Sequence, residues 1–317
     1  MKIIFMGTPA LAVPTLEALR LDHEIALVVT QPDKPAGRSG KPVASPLKAY
    51  ALEHDLPVAQ PERARNEEFI DQLREVAPDA IAVVAYGQIL PRAILDLPPR
   101  GCVNLHYSLL PRWRGAAPVQ HALLAGDKVT GVTTQWMAEK LDSGAVILQR
   151  ETPIAPDETT GDLWRRLTPI GAEVLRETMR LMEAGTAPRV PQEETQVTLA
   201  PILKKEDGFI DWQSDAISIV NRVRGTNPWP GAWCEFRGGS LKIWRARIAN
   251  QAAANEVDAV ISEASGSVVA IENEGIVVAA RGGAVTLVEV QAEGRPRMAA
   301  ADWARGARLQ IGGTLSA

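Results

Sequence analysis

Three side chains stand out for their chemistry: the amide of Asn104, the imidazole of His106 and the carboxylate of Asp142. In a strand over 101–106, Val103 and Leu105 point one way while Asn104 and His106 point the other. Strands of α/β proteins are normally apolar on both faces, because helices cover both sides of the sheet. An amide and an imidazole side by side there are costly unless they act on something. The plainer alternative is a polar pair hydrogen-bonded at a sheet edge. The neighbouring residues argue against it. Residues 108–111 (SLLP) turn the chain, Arg112, Trp113, Arg114 and Gly115 add charge and an aromatic ring, and residues 141–144 (LDSG) return a carboxylate on a glycine-containing loop. Amide and imidazole groups stabilise a developing oxyanion, and an imidazole with a carboxylate moves protons.

The surrounding elements must bring these groups together. Residues 2–6 (KIIFM) predict a first strand closed by Gly7, then a helix over 9–19 and a second strand over 24–30. This order implies a right-handed parallel crossover. One glycine stands where a dinucleotide site usually shows three, so a Rossmann-like sheet is expected without NAD. Residues 31–45 form a long Pro/Gly-rich insert carrying Lys34, Arg38 and Lys41 against Asp33, readable as a solvated loop or a binding loop. Next come a helix over 46–54, a short strand over 57–59, a helix over 66–76 with Phe69, Ile70 and Leu73 on one face, and a buried strand over 80–85. Strands over 132–137 and 145–152 suggest a hairpin around Asp142. Thr159 and Asp162 have capping-box spacing before a helix reaching about residue 184.

The texture changes after that. Residues 186–205 have little periodicity and three prolines, and read as a linker between a domain at 1–185 and another at 206–317. Short alternating runs at 232–236, 240–248, 266–272, 275–280 and 285–292, separated by glycines, predict a small antiparallel barrel. Between 222 and 247 there are six basic residues and one acidic one, with Trp229, Trp233 and Trp244 interleaved. That combination is a nucleic-acid signal, although tryptophans in the core with arginines on a solvated face would look the same.

Composition limits the alternatives. At 317 residues the chain can bury two cores, and its net charge of −4 gives no global sign of a nucleic-acid partner. Cys102 and Cys234 are the only cysteines, so neither a disulfide framework nor a zinc cluster is expected. No apolar run approaches the ~18 residues of a membrane span. A cytoplasmic monomer is the simplest expectation.

Several segments resemble the methionyl-tRNA formyltransferases, within the 10-formyltetrahydrofolate-dependent formyltransferases. They are 5–9 (FMGTP), 31–38 (QPDKPAGR), 104–106 (NLH), 108–118 (SLLPRWRGAAP), 141–144 (LDSG), 204–208 (KKEDG) and 227–231 (NPWPG). They span nearly the whole chain. The Asn-x-His and Ser-Leu-Leu-Pro segments are common to formyltransferases of this type, so alone they fix the chemistry and not the acceptor. The basic loop and the Asn-Pro-Trp-Pro-Gly segment narrow the resemblance to the tRNA enzymes.

The resemblance implies formyl transfer from 10-formyltetrahydrofolate, without a metal, to the α-amine of methionyl initiator tRNA. Asn104 would donate to the oxyanion, His106 would polarise the carbonyl or share the proton, and Asp142 would orient His106 and help carry the proton. Ser108, Leu109, Leu110 and Pro111 would read the folate through backbone groups. Lys34, Arg38 and Lys41 would contact the acceptor stem, and Arg222, Arg224 and Arg245 of the barrel would lie along the tRNA. Three positions depart from the family pattern: Tyr107 replaces a usual proline, Lys140 a glycine, and Ala145 an acidic residue. If position 140 needs positive φ, a lysine there is strained. The alternatives are a formyltransferase acting on an amino-sugar nucleotide, a formyltetrahydrofolate hydrolase, and a non-catalytic tRNA-binding module.

Overall fold

The structure is a computed structural model that describes residues 1–35, 40–249 and 265–316. These residues divide into two compact units. The first comprises Met1–Pro118, Val129–Pro153 and Trp164–Ala200, and the second Val119–Lys128, Ile154–Leu163 and Pro201–Ala317. The division is not a single break after residue 185: 119–128 and 154–163 go with the second unit, and 186–200 goes with the first.

In the first unit the strands are β1 (Lys2–Gly7), β2 (Glu24–Val29), β3 (Lys34–Pro35), β4 (Pro42–Val43), β5 (Val58–Ala59), β6 (Ala80–Val84), β7 (Cys102–His106), β8 (Val129–Trp136) and β9 (Val146–Pro153). Seven of them form one sheet in the order β5-β2-β1-β6-β7-β8-β9. The run from β5 to β7 is parallel, and β8 and β9 add an antiparallel edge. The expected mainly parallel, Rossmann-like sheet is therefore present. From β1 the chain first builds outward through β2 and β5, then returns to place β6 on the other side of β1. Such reversals open a crevice at the carboxyl ends of the strands, where ligands bind.

Local signals explain the elements around the sheet. Helix α1 (Val13–Arg20) carries proline in its first turn. In α2 (Pro46–Glu53) the Ser45 side chain accepts from the Lys48 amide, and in α3 (Glu67–Val76) Asn66 accepts from Glu68. Both caps satisfy amides that a helix start leaves orphaned. Phe69, Ile70 and Leu73 of α3 pack with Ile4, Met6, Ile81 and Val83 of the sheet. After α4 (Arg92–Leu95), the Cys102 thiol donates to the Ile94 and Leu95 carbonyls. Burial pushes that thiol, and that of Cys234, up to about 12, so both stay neutral packing groups. Helix α5 is Pro118–Leu124. Helix α6 (Thr160–Ala184) opens on the expected capping box, with the Asp162 carboxylate accepting from the Thr159 amide.

The second unit contains α7 (Ala216–Gly225), β10 (Ala232–Phe236), β11 (Gly239–Ile248), β12 (Val268–Glu272), β13 (Gly275–Ala280), β14 (Gly283–Ala292), β15 (Met298–Ala299) and α8 (Ala300–Ala307). Its sheet runs β10-β11-β14-β13-β12, all antiparallel, with β15 on β14. Thr314 bridges Ser267, just before β12, and Ser316 bridges Glu235 on β10. The end of the chain thus links the two edge strands and closes the sheet. Ile219, Val223, Ile243, Val278, Leu287 and Trp303 fill its core. No helix among the described residues is long and apolar enough to cross a membrane.

Candidate active site

His106 ends β7 and is 6% exposed. Its Nε2 lies 2.8 Å from the Trp113 carbonyl oxygen. A carbonyl only accepts, so Nε2 carries hydrogen and Nδ1 is the nitrogen left for chemistry. Trp113 has φ +65°, and its amide donates to the Thr198 hydroxyl at 2.9 Å. That fold-back of the chain is what brings the carbonyl to the ring.

Asp142 sits on the loop between β8 and β9 with φ +48°. Its Oδ1 accepts from Gln135 Nε2 at 3.0 Å and its Oδ2 from the Gly115 amide at 2.9 Å. Oδ2 is 3.7 Å from His106 Nδ1. That is an ion-pair separation, too long for a hydrogen bond. The Trp113 carbonyl thus orients His106 through Nε2, and Asp142 faces the other nitrogen across a narrow gap. Positive φ falls on Asp142 and not on Lys140, so lysine is unstrained there. The Lys140 carbonyl instead accepts from the Ser143 hydroxyl at 2.8 Å. Gly144 is required, since a Cβ there would lie 1.6 Å from the Trp136 carbonyl oxygen.

Asn104 lies opposite Gln135 in the β7–β8 register, half-buried. Asn104, His106 and Asp142 all line one cavity of about 430 Å³, within the size range of small-molecule sites. Ala85, Gly87 and Leu90, from the loop after β6, form another part of the wall, and the exposed side chains of Ile89 and Leu141 also line it. Tyr107 packs edge-on against Trp164 with ring centres 4.8 Å apart. Both rings contribute to the cavity wall. Burial pushes the Tyr86 phenol to about 12 and the Tyr107 phenol higher still, so neither carries charge into the cavity. Such a site, with an amide, an imidazole and a carboxylate on an apolar cleft, can stabilise an oxyanion and relay a proton.

Ser108, Leu109, Leu110 and Pro111 are placed elsewhere. None lines this cavity. The Ser108 hydroxyl donates to Arg112 O, the Leu110 amide to Thr133 Oγ1, and the Leu110 carbonyl accepts from Gln149. Those bonds hold the turn against β8 and β9, and Leu109, Leu110 and Pro111 line a separate hollow with residues 195–198. The residues missed in the sequence are Trp113 and Gly115, acting through backbone groups, the 85–90 wall, Gln135 and Gln192. The tight Tyr86-Gly87 strand end was the available signal for the wall. Nothing in the spacing pointed to Gln192, 50 residues from Asp142.

Among the basic residues, Lys34, Lys41 and Arg245 are exposed. Arg38 lies outside the described residues. Arg222 is half-buried and donates to the Phe209 carbonyl at 2.7 Å. Arg224 is a correction. It is 7% exposed, and its guanidinium donates to the Glu158 and Ala155 carbonyls at 3.0 and 2.9 Å. Burial draws it inward to satisfy backbone acceptors, so it offers nothing to a phosphate. The three tryptophans also divide: Trp229 is 55% exposed, Trp233 is half-buried, and Trp244 is buried beneath Arg297, whose guanidinium carbon is 3.4 Å from the ring centre.

Residues 1–179 match the formyl transferase family model and residues 202–308 the formyl transferase C-terminal domain model. A methionyl-tRNA formyltransferase of Solibacter usitatus is 48% identical over 310 residues, covering 98% of this chain and 96% of that protein. One from Symbiobacterium thermophilum is also 48% identical, with 98% and 94% covered. Among solved structures, the sugar 3N-formyl transferase WlaRD, crystallised with dTDP and 5-N-formyl-THF, shares the fold at TM-score 0.65 and 17% identity, covering 93% of this chain and 99% of that one. HypX of Aquifex aeolicus in complex with tetrahydrofolic acid aligns at TM-score 0.63 and 18% identity, and this chain spans about half of its length, covering 98% of this chain and 48% of that one.

Proposed function

The chain belongs to the formyl transferase family, among relatives that are methionyl-tRNA formyltransferases, and from that premise we propose that it transfers the formyl group of 10-formyltetrahydrofolate to the α-amine of methionyl initiator tRNA. The observation that carries this reading is the convergence of Asn104, His106 and Asp142 on one cleft of ligand size. A folate fits there by chemistry. The 85–90 wall supplies apolar surface, and the groups able to act on a carbonyl gather at the β7 side.

The donor supplies an activated formamide whose N10 accepts a proton as the carbon–nitrogen bond breaks. When the amine adds to the formyl carbon, negative charge grows on oxygen, and the Asn104 amide N–H stabilises it. The amine becomes cationic at the same moment. His106 Nδ1 and Asp142 Oδ2, two acceptors 3.7 Å apart, take that proton between them and return it toward the leaving nitrogen. The Nε2–H bond to Trp113 keeps the imidazole from turning while its charge changes. Gln135 and the Gly115 amide hold both carboxylate oxygens in place.

The exposed Lys34, Lys41 and Arg245, with Arg38, contact the tRNA backbone. The test is incubation with 10-formyltetrahydrofolate and methionyl initiator tRNA, with uncharged tRNA and an amino-sugar nucleotide as controls. N-formylmethionine formed only with charged tRNA is expected. Formyl transfer to the sugar nucleotide alone would overturn the reading.

A further inference from the structure

The segment 186–200 looks featureless in the sequence, yet it reaches the catalytic loop through one side chain. Gln192 Nε2 lies 2.9 Å from the Asp142 carbonyl oxygen, 2.8 Å from that of Gly144, and 3.3 Å from Gln135 Oε1. Its own Oε1 accepts from Arg114 Nε at 3.0 Å. Arg114 is 3% exposed, and its guanidinium pairs with Glu194 at 2.8 Å. The main chain is fixed as well: Arg114 N donates to Thr198 O and Ala200 N to Arg114 O. Before Gln192, Val190 exchanges both main-chain hydrogen bonds with Val146, so Gln192 is aimed from a segment pinned on both sides.

A non-glycine residue at φ +48° persists only where its surroundings hold it there, and Gln192 clamps the carbonyls on either side of Ser143. An amide side chain such as Gln135 can present either its oxygen or its nitrogen to a neighbour. The Asp142 carboxylate only accepts and so takes the Gln135 nitrogen, at 3.0 Å. That leaves Gln135 Oε1 toward Gln192 Nε2, where it shares a hydrogen in the longest of that nitrogen's three contacts, at 3.3 Å.

We propose that Gln192 is a positioning residue for the formyl-transfer reaction, fixing the Asp142 loop so that the carboxylate stays aligned with His106. This role rests on formyl transfer being the reaction. It gives the segment 186–200 a part in the chemistry that its sequence does not advertise.

The test compares steady-state formylation by wild type, Gln192→Glu and Gln192→Met, each alone and combined with Asp142→Asn. Gln192→Glu sets oxygen against two carbonyls, and Gln192→Met keeps the length while removing the donors. Misplacing a reacting group by about 1 Å costs on the order of 100-fold, so kcat is expected to fall about 10–100-fold in both. KM for each substrate should stay within about twofold of wild type, and thermal melting should confirm the fold. In the Asp142→Asn background the same changes should cost less than about twofold, because a residue acting through Asp142 has nothing left to position. If Gln192→Glu does not fold, Gln192→Met carries the comparison. Undiminished kcat in a folded Gln192 variant, or an equal loss in the Asp142→Asn background, would overturn the inference. Inactive wild type would instead overturn the function itself.

Discussion

His106 and Trp113 are joined by a 2.8 Å contact from the imidazole Nε2 to the main-chain carbonyl, and this contact decides which ring nitrogen does the chemistry. With Nε2 committed as donor, Nδ1 faces the Asp142 carboxylate with no proton of its own in the neutral ring. The site is then an acceptor pair beside an amide donor, and each part can be tested separately.

Replacing Asn104 with alanine removes the oxyanion donor. Loss of one such donor typically lowers the rate by ~10²–10³. The expected result is a kcat reduced by that factor with an unchanged melting curve. Near wild-type turnover would exclude the amide from the mechanism.

Gly144→Ala places a methyl group 1.6 Å from the Trp136 carbonyl oxygen, so the loop must move. The stability cost is expected at about 1–3 kcal/mol, as for other overpacked sites. Turnover should suffer more than that figure suggests, because Asp142 lies two residues away. Urea unfolding and kcat measured on the same preparation check both parts.

Arg224 and Arg245 should behave oppositely although both are arginines of the second unit. Arg224→Ala strands the buried Glu158 carbonyl and takes a donor from the part-buried Ala155 carbonyl, and is expected to cost about 1–3 kcal/mol of stability. Arg245→Ala should leave stability alone, raise KM for tRNA, and flatten the dependence of that KM on salt. Chemical denaturation and KM measured between roughly 50 and 200 mM salt separate the two.

Glu194 predicts a pH effect. The Arg114 guanidinium holds its carboxyl below the ordinary value of 4.5, so the folded protein gives up this proton more readily than the unfolded chain. Its contribution to stability is complete above the unfolded value and is lost as pH falls through the lower folded one. Glu194→Gln removes the titration. The difference in urea midpoint between wild type and Glu194→Gln should therefore shrink on acidification below pH 4.5. A constant difference down to about pH 3 would contradict it.

Much of the fold was legible because its signals are local. Alternation marked β10, β13 and β14, the buried run at 80–84 marked β6, and Thr159 with Asp162 marked the start of α6. Asn104, His106 and Asp142 were legible because polar side chains in such places need a reason. What escaped was non-local or lay in the backbone. No side-chain pattern reveals that the Trp113 carbonyl turns onto His106, or that the Gly115 amide meets Asp142. Arg224 misled because charge in a sequence says nothing of burial. Residues 186–200 misled because a segment without periodicity can still be fixed by one salt bridge and a few main-chain bonds.

Asn104, His106 and Asp142 are held to act together on the formyl carbon. The single-turnover rate of formyl transfer to methionyl initiator tRNA, compared between wild type and Asp142→Ala at saturating substrates, tests this most directly. The prediction is a loss of ~10²–10⁴ from removal of the proton relay, with binding of both substrates retained. A rate within a factor of about two of wild type would contradict it, since general acid–base help from this residue would then be absent.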